Sequence, residues 1–310
     1  MIELNSSQTQ PCNIEDKPCN IYMSLMSTST NIVSILINLL HLLVLRQIPG
    51  LKKLNYFWIL FNLTLGDIFM SAAVTLTATC AVRFSKEFLI SGLTEAFFSC
   101  AFQVRYWLLT LAIIDRYYAV CKPLQYATSK LVNNIGKLAA VVWTLNALLA
   151  LAKAFMSPKF LCFVSVFHPV DAKPYNFGKY IDIITLMAVV LPSIVSTILL
   201  IKLSKELKRM KQQRVRTGED AETRSATSYI IGTCIMFYIS IVPSVALIIF
   251  YTTTERFEGI RDGLITFSLL AHIIYGIGNV VLYGLLNKTY IGTMRSMFRN
   301  LCIAAKIYPQ

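Results

Sequence analysis

Seven long apolar blocks constrain the fold of this 310-residue chain more than any other feature. Each block exceeds the roughly 20 residues that a helix needs to cross about 30 Å of hydrocarbon. Only 15% of the residues are charged and the mean hydropathy is +0.59, which disfavours the alternative of a soluble helical protein. The pattern predicts an all-α integral membrane protein. Its spans are placed near residues 22–46, 55–81, 88–118, 133–156, 178–203, 227–252 and 262–286.

The distribution of basic residues predicts the orientation of these spans. The net charge is +13, and the excess lies after the first, third, fifth and seventh blocks. Because cytoplasmic loops of membrane proteins are enriched in lysine and arginine, these segments are expected inside and the amino terminus outside. The positive charge then faces membrane lipids and cytosolic partners, and no nucleic acid is expected as a partner.

The connecting segments contain no soluble domain large enough to fold alone. We divide the chain into an extracellular tail at 1–21, a seven-transmembrane domain at 22–286 and a cytoplasmic segment at 287–310. No cleavable signal peptide is evident, so the first span is expected to direct insertion. Asn5 begins an Asn-Ser-Ser sequon in the tail and is a candidate glycosylation site.

The segment after the seventh block has the pattern of an interfacial helix. Between Tyr290 and Leu301, apolar side chains recur at three- and four-residue spacings and basic residues lie between them. This pattern is typical of an amphipathic helix in the membrane interface. Cys302 then becomes a candidate for acylation, with a free cytosolic cysteine as the alternative.

A charged tripeptide marks the inner end of the third block. Asp115, Arg116 and Tyr117 stand where the apolar helix leaves the membrane, and a basic turn follows them. Charge is costly in hydrocarbon, so such a pair at the membrane edge is expected to be paired, snorkelled or functional. Asp-Arg-Tyr alone is weak evidence, and its value depends on the polar residues of the other spans.

The other spans carry further marks in a consistent order. These marks are Asn38 in the first span, Asp67 in the second, Trp143 in the fourth, Pro192 in the fifth, Phe237 and Pro243 in the sixth, and Asn279 and Tyr283 in the seventh. Together with Asp-Arg-Tyr, they resemble those of rhodopsin-like (class A) G-protein-coupled receptors over residues 22–302. The resemblance implies a seven-transmembrane helix bundle with a short amphipathic C-terminal helix in the plasma membrane. It also implies an extracellular ligand, a heterotrimeric G-protein, no enzymatic activity and no cofactor.

The resemblance assigns switch roles to some of these residues. It implies that Asp115 holds Arg116 in a resting state, and that Arg116 turns toward the G-protein when the inner ends of the fifth and sixth helices separate. Pro243 is then a hinge of the sixth helix, with a static kink as the alternative. Phe237 is a packing switch beneath the ligand or an ordinary core residue. The remaining coupling candidates are Tyr117, Asn279 and Tyr283.

Four polar residues in different spans are expected at a comparable depth. At a rise of 1.5 Å per residue, Asn38, Asp67, Arg105 and Asn279 lie about 11 to 18 Å from the inner ends of their helices. Since each is costly alone, they should face inward and satisfy one another. The family's aspartate matching Asp67 helps bind sodium, and Arg105 stands where a small polar residue is usual. We predict that Arg105 pairs with Asp67 and replaces the ion; the alternative is that it snorkels or bonds elsewhere.

Several motifs of the family are altered in this chain. Ile241 replaces the tryptophan of Cys-Trp-x-Pro, Val280 replaces the proline of Asn-Pro-x-x-Tyr, and Leu200 replaces a common tyrosine of the fifth span. These changes do not affect the expected fold, but they bear on the efficiency of signalling. A non-signalling seven-helix decoy or partner subunit is therefore the main alternative function.

Two further classes are disfavoured by the sequence. A transporter usually shows repeated halves with broken helices, and no such repeat is evident. An enzyme needs a reactive constellation, yet His41, His168 and His272 lie far apart and form no metal-binding pattern.

Four of the eight cysteines lie in predicted extracellular positions. These disulfide candidates are Cys12, Cys19, Cys80 and Cys162, and four cysteines allow three complete pairings. The resembling family has a cysteine at the outer start of the third helix, where this chain has about Ser91. Cys162 is expected to pair with Cys80 or with the amino-terminal pair, and the choice stays open.

The ligand cavity is expected to open outward among the third, fifth, sixth and seventh helices. Phe98 stands where amine receptors carry an aspartate, and Ile273 stands where opsins carry the retinal lysine, so neither ligand class is expected. The candidate pocket residues are Glu95, Phe98, Asp182, His272 and Tyr275. Each also has a structural explanation, and a peptide and a small chemosensory molecule both remain open as ligands.

Overall fold

Eight long helices make up most of the computed structural model, which describes residues 21–83, 88–155, 175–213, 221–253 and 258–307. They are α1 Ile21–Gln47, α2 Asn55–Arg83, α3 Phe88–Cys121, α4 Ile135–Phe155, α5 Tyr175–Gln213, α6 Ala221–Thr253, α7 Glu258–Leu286 and α8 Lys288–Ile307. A short 3-10 turn lies at Leu51–Lys53, and single helical turns lie at Pro123–Tyr126 and Lys130–Asn133. No strand occurs within these described ranges.

Each predicted span overlaps one of the helices α1 to α7, and the predicted fold class is confirmed. By length and composition, five helices contain a stretch that can cross a membrane, in α1 to α5. Leu270–Leu286 of α7 together with Lys288–Ile303 of α8 provides a sixth, although the two segments are bent by 103°. Ala226–Val242 of α6 is a shorter apolar stretch. The bend turns α8 away from the direction of α7, and the position of α8 in the membrane interface stays a prediction.

The outer surface of the bundle is apolar, as expected for a protein surrounded by lipid. On α4 and α5, the large side chains of Leu145, Leu148, Ile194, Ile198 and Ile201 are half or more exposed. A continuous surface of this kind is rare in a water-soluble monomer. Asn38, Asp67, Arg105 and Asn279 instead lie buried inside the bundle, where polar groups can bond to one another.

The helix α3 lies at the centre of the bundle and packs against α2, α4, α5 and α6. The helices α6 and α7 pack closely because glycines meet large side chains in both directions. A Cβ atom added to Gly232 of α6 would lie 2.6 Å from Leu282 Cδ2 of α7, and one added to Gly278 of α7 would overlap Met236 of α6. Small residues allow such close approach between membrane helices.

Local sequence explains where α1 ends and why α5 is long. Pro49 follows α1 and cannot continue it, and Gly50 takes a left-handed conformation with φ of 76° that reverses the chain. Pro192 lies inside α5. This helix continues ten residues beyond the predicted span, to Gln213, because the basic segment after residue 203 is rich in strong helix formers.

Candidate functional site

The bundle brings predicted polar residues together in its interior. Asn38, Asp67, Arg105 and Asn279 lie on α1, α2, α3 and α7, and each is at most 3% exposed. Three of them form one connected network, which we call the central network. It consists of Asp67, Arg105 and Asn279 with the hydroxyl groups that bond to Asn279.

Arg105 and Asp67 form a buried ion pair at the centre of this network. Arg105 donates from Nε to Asp67 Oδ1 at 2.8 Å, and Nη2 donates to the same oxygen. The guanidinium also lies over the ring of Tyr275, 4.6 Å from its centroid. The predicted contact between Arg105 and Asp67 is therefore present, and each charge offsets the burial cost of the other.

Asn279 connects the ion pair to α6. Its Nδ2 donates to Asp67 Oδ2 at 3.0 Å. Its Oδ1 accepts hydrogen bonds from the Tyr229 hydroxyl at 2.5 Å and from Thr233 Oγ1 at 3.1 Å. Both carboxylate oxygens of Asp67 thus bond to groups of this chain, and the network links α2, α3, α6 and α7.

Asn38 lies beside the central network and bonds within a separate group. Its Nδ2 donates to the carbonyl of Ser34 at 2.9 Å, and Ser71 Oγ donates to Ser34 Oγ at 3.0 Å. Among the described residues, Asn38 Oδ1 has no hydrogen-bond partner. Mutual satisfaction of the polar residues, expected from the sequence, therefore holds for three of the four. The amide of Asn38 instead forms its hydrogen bond to the Ser34 carbonyl of its own helix.

A second polar cluster lies near the C-terminal end of α3. Arg116 donates from Nε to Asp115 Oδ2 at 2.8 Å, and Nη2 donates to the same oxygen. Both residues are buried. The Arg116 guanidinium also lies over the ring of Tyr56 on α2, 4.5 Å from its centroid. This arrangement places a positive charge near the C-terminal end of α3, between a carboxylate and an aromatic ring.

The turn after α3 is attached to the same cluster. The hydroxyl of Tyr126 donates to Asp115 Oδ1 at 3.1 Å. Burial and, to a smaller extent, the charge of Asp115 raise the pKa of Tyr126 to about 12. The phenol therefore keeps its proton at neutral pH and can donate. Pro123 begins this turn, and Leu124 projects from it with 93% of its side chain exposed.

Tyr283 lies in an aromatic cluster that joins four helices. Its ring centroid is 5.0 Å from Tyr229 of α6, 5.3 Å from His41 of α1 and 5.2 Å from Tyr290 of α8. Asn287 Nδ2 donates to the Tyr283 hydroxyl at 3.1 Å. His41 Nδ1 and the Tyr290 hydroxyl share a hydrogen bond of 2.9 Å. Tyr229 belongs to this cluster and to the central network, so the two are in direct contact.

Phe237 is a core residue between three helices. Its ring centroid lies 4.8 Å from Tyr106 of α3 and 5.3 Å from Tyr275 of α7. Because Tyr275 also contacts Arg105, Phe237 adjoins the central network. Pro243 lies six residues further along α6, and Tyr117 is partly buried at the inner end of α3.

The candidate pocket residues divide into two groups. Phe98 stacks on Phe102 at 6.3 Å, and His272 meets the same ring edge-on at 5.5 Å. Tyr275 instead packs against Arg105 and is buried in the central network. Glu95 and Asp182 lie on α3 and α5. Phe98 and His272 therefore both contact Phe102, whereas Tyr275 contacts Arg105.

The remaining predicted sites lie partly outside the described residues. Asn5, Cys12, Cys19 and Cys162 fall in segments that the structure does not describe, and Cys80 lies on α2. Within the described ranges, the free cysteines are Cys100, Cys121, Cys234 and Cys302, and Cys302 is exposed on α8. No group of three or more metal-ligating side chains occurs among these described residues.

Four tyrosines that contact the site were not predicted from the sequence. They are Tyr56, Tyr126, Tyr229 and Tyr290. Tyr126 follows Asp115 by 11 residues across a proline turn, and this spacing was a usable signal. For Tyr229 and Tyr290, the only signal is the residue type, because the hydroxyl of a buried tyrosine usually bonds to a polar partner. Tyr56 contacts the site through its ring, and its hydroxyl has no hydrogen-bond partner among the described residues.

Comparison with known proteins agrees with this architecture. A family model described as 7 transmembrane receptor (rhodopsin family) matches residues 37–283, which include both polar clusters. The chain is also similar to the human protein named Olfactory receptor 4C16 (Homo sapiens), with 30% identity over 129 residues. That match covers 39% of this chain and 39% of the human receptor.

Proposed function

The chain belongs to the rhodopsin family of seven-transmembrane receptors, and we propose that it converts the binding of an extracellular ligand into nucleotide exchange on a heterotrimeric G-protein. We place it in the plasma membrane with its amino terminus outside, because its basic segments lie on the other side. The family is not enzymatic, so the chain acts by shifting between two helix arrangements.

The observation that carries this proposal is the position of Arg116. It is a permanently charged group, buried at the inner end of α3, whose charge is matched by its neighbour Asp115. A charge at the edge of a membrane span is costly and is typically functional. In the proposed active arrangement, the inner ends of α5 and α6 separate and Arg116 turns from Asp115 toward the G-protein.

The cytoplasmic surface next to Arg116 offers a protein partner both apolar and basic contacts. Leu124 is the most exposed large apolar side chain of the described residues, at 93%. Along the inner extension of α5, Lys202, Lys205 and Lys208 are exposed. A partner with an apolar recess and an acidic face would complement this surface in shape and charge.

A chain of aromatic rings provides a route from the candidate ligand region to the central network. Phe98 contacts Phe102, which lies 5.1 Å from Tyr106, and Tyr106 in turn contacts Phe237. Phe237 packs on Tyr275, which holds the Arg105 guanidinium. We propose that a ligand near Phe98 and His272 displaces these rings and thereby biases α6. Double-mutant cycles between neighbouring rings of this series would measure the energetic coupling between them.

The ligand that we favour is a small chemosensory molecule. The partial similarity to a human olfactory receptor supports this choice over a peptide. The stacked rings of Phe98 and Phe102 beside His272 would suit a largely apolar molecule with a few polar atoms.

The test is ligand-free nucleotide exchange by purified G-protein in vesicles containing the receptor at matched density. We expect wild-type exchange above that of empty vesicles and its loss in Arg116→Ala. The control is Arg299→Ala, because Arg299 is an exposed arginine on α8, and it should retain wild-type exchange. Equal exchange in all vesicles, receptor-free ones included, would contradict coupling and favour the decoy or partner-subunit function, to which the missing tryptophan at Ile241 also points.

A further inference from the structure

Tyr56 packs its ring against Arg116 and buries its hydroxyl group without a hydrogen bond. The first feature is favourable for this arrangement and the second is unfavourable. The Arg116 guanidinium lies 4.5 Å from the centroid of the Tyr56 ring. Tyr56 is only 7% exposed. Its hydroxyl is buried and has no hydrogen-bond partner among the described residues.

The ring contact ties the guanidinium to another transmembrane helix. Asp115 lies on α3 itself, and Tyr126 lies on the turn that follows α3, so both are covalently close to Arg116. Tyr56 lies near the start of α2. An arginine over an aromatic face is attracted by the ring quadrupole, and the attraction is stronger where water is excluded. The Tyr56 ring therefore opposes any movement of the Arg116 guanidinium away from α2.

The hydroxyl acts in the opposite direction. A buried hydroxyl group without a partner has lost its bonds to water and gained nothing in return. When the guanidinium leaves the ring, the space that it occupied becomes open to water or to another polar group. The hydroxyl can then form a hydrogen bond, so it favours the arrangement in which Arg116 has moved.

We propose that Tyr56 is a positioning residue for Arg116: its ring holds the guanidinium in the resting arrangement, and its unpaired hydroxyl limits how stable that arrangement is. The two parts of one side chain thus set the balance between the two states. This inference rests on the proposed function, because it assigns Tyr56 a role in the movement of Arg116.

Two substitutions separate the parts and should change activity in opposite directions. Tyr56→Phe keeps the ring and removes the unpaired hydroxyl, so ligand-free nucleotide exchange should fall by about fivefold and the melting temperature should rise. Tyr56→Leu removes the ring, so ligand-free exchange should rise on the order of tenfold and the melting temperature should fall. A residue that only fills space would change the melting temperature and leave ligand-free exchange unchanged.

The control for lost aromatic packing is Phe57→Leu, because Phe57 is the next residue on α2 and is similarly buried at 8% exposure. Phe57→Leu should lower the melting temperature without raising exchange. Each Tyr56 variant is also combined with Arg116→Ala, in which neither Tyr56 substitution should change exchange further. Melting is measured by thermal unfolding of the purified full chain in detergent.

The results distinguish this inference from the proposed function. Changes of the same sign in Tyr56→Phe and Tyr56→Leu, or equal melting effects of Tyr56→Leu with and without Arg116, would overturn the role of Tyr56. If no variant supports exchange above empty vesicles, the proposed coupling fails. Opposite melting shifts that become smaller in Arg116→Ala would then still support the hold of Tyr56 on Arg116, since melting does not depend on a G-protein.

Discussion

Arg105 on α3 donates a hydrogen bond of 2.8 Å to Asp67 on α2 at a place where neither residue is more than 3% exposed. Asn279 bonds to the other oxygen of the same carboxylate. The pair has no net charge, and this makes its burial in an apolar bundle tolerable. Losing one partner is much more costly than losing both, because a single buried charge remains.

We therefore expect Arg105→Leu to lower the free energy of unfolding by about 3 to 5 kcal/mol. Adding Asp67→Asn should recover part of this loss, since the amide is neutral and still offers an oxygen to Asn279. Thermal and denaturant unfolding in detergent measure both effects. Arg299→Leu on exposed α8 serves as the control and should change stability by at most about 0.5 kcal/mol. A loss in Arg105→Leu no larger than this would show that the pair is dispensable.

Sodium should not stabilise this receptor. The donors of Arg105 and Asn279 already occupy both oxygens of Asp67, so a free cation would have to displace a guanidinium. The wild-type melting temperature is expected to be the same in sodium chloride and in choline chloride at equal ionic strength. Arg105→Ser should expose the carboxylate and make melting sodium-dependent. Stabilisation of the wild type by sodium, lost in Asp67→Asn, would contradict the replacement of the ion by Arg105.

The spans and the Asp67–Arg105 contact could be predicted from the sequence, because both follow from the free-energy cost of placing polar groups in hydrocarbon. A polar or charged group in hydrocarbon must be paired, and a crossing helix needs a minimum length. The aromatic partners were not accessible in the same way. Tyr56 and Arg116 lie far apart in the chain, and nothing in their spacing shows that α2 and α3 place the ring under the guanidinium. The choice of ring depends on how the helices rotate against each other.

The close contact between Gly232 of α6 and Leu282 of α7 predicts that substitutions at these two positions partly compensate each other's loss of stability. Gly232→Ala would place a Cβ atom 2.6 Å from Leu282 Cδ2 and should cost about 1 to 3 kcal/mol by overpacking. Leu282→Ala alone leaves a cavity and should also destabilise. Together they should cost less than the sum of the single changes. Gly292→Ala is the matched control, because a Cβ there meets nothing within 4 Å, and strictly additive losses would argue against direct contact.

Tyr126 and Tyr290, which lie outside the predicted spans, predict a fall in stability at high pH. Burial raises the pKa of Tyr126 and of Tyr290 from 10.0 to about 12. The folded chain therefore holds these protons more tightly than the unfolded chain, and stability should be constant below pH about 10 and fall between about 10 and 12. The variant with Tyr126→Phe and Tyr290→Phe should show a shallower fall in melting temperature between pH 9 and 11. An identical fall would exclude both groups as its cause.

Leu124 should contribute to binding of the G-protein and not to stability. Its side chain is 93% exposed, on a turn held by the bond from Tyr126 to Asp115. Burial of a leucine in a partner is worth about 1.5 to 3 kcal/mol, so Leu124→Ala should weaken G-protein binding by at least about tenfold. Its melting temperature should equal that of the wild type.

The control is Leu285→Ala, since Leu285 is 73% exposed on α7 and its substitution should change neither G-protein binding nor the melting temperature. Unchanged binding in Leu124→Ala would mean that this turn is not part of the docking surface, and the basic extension of α5 would then be the next surface to test.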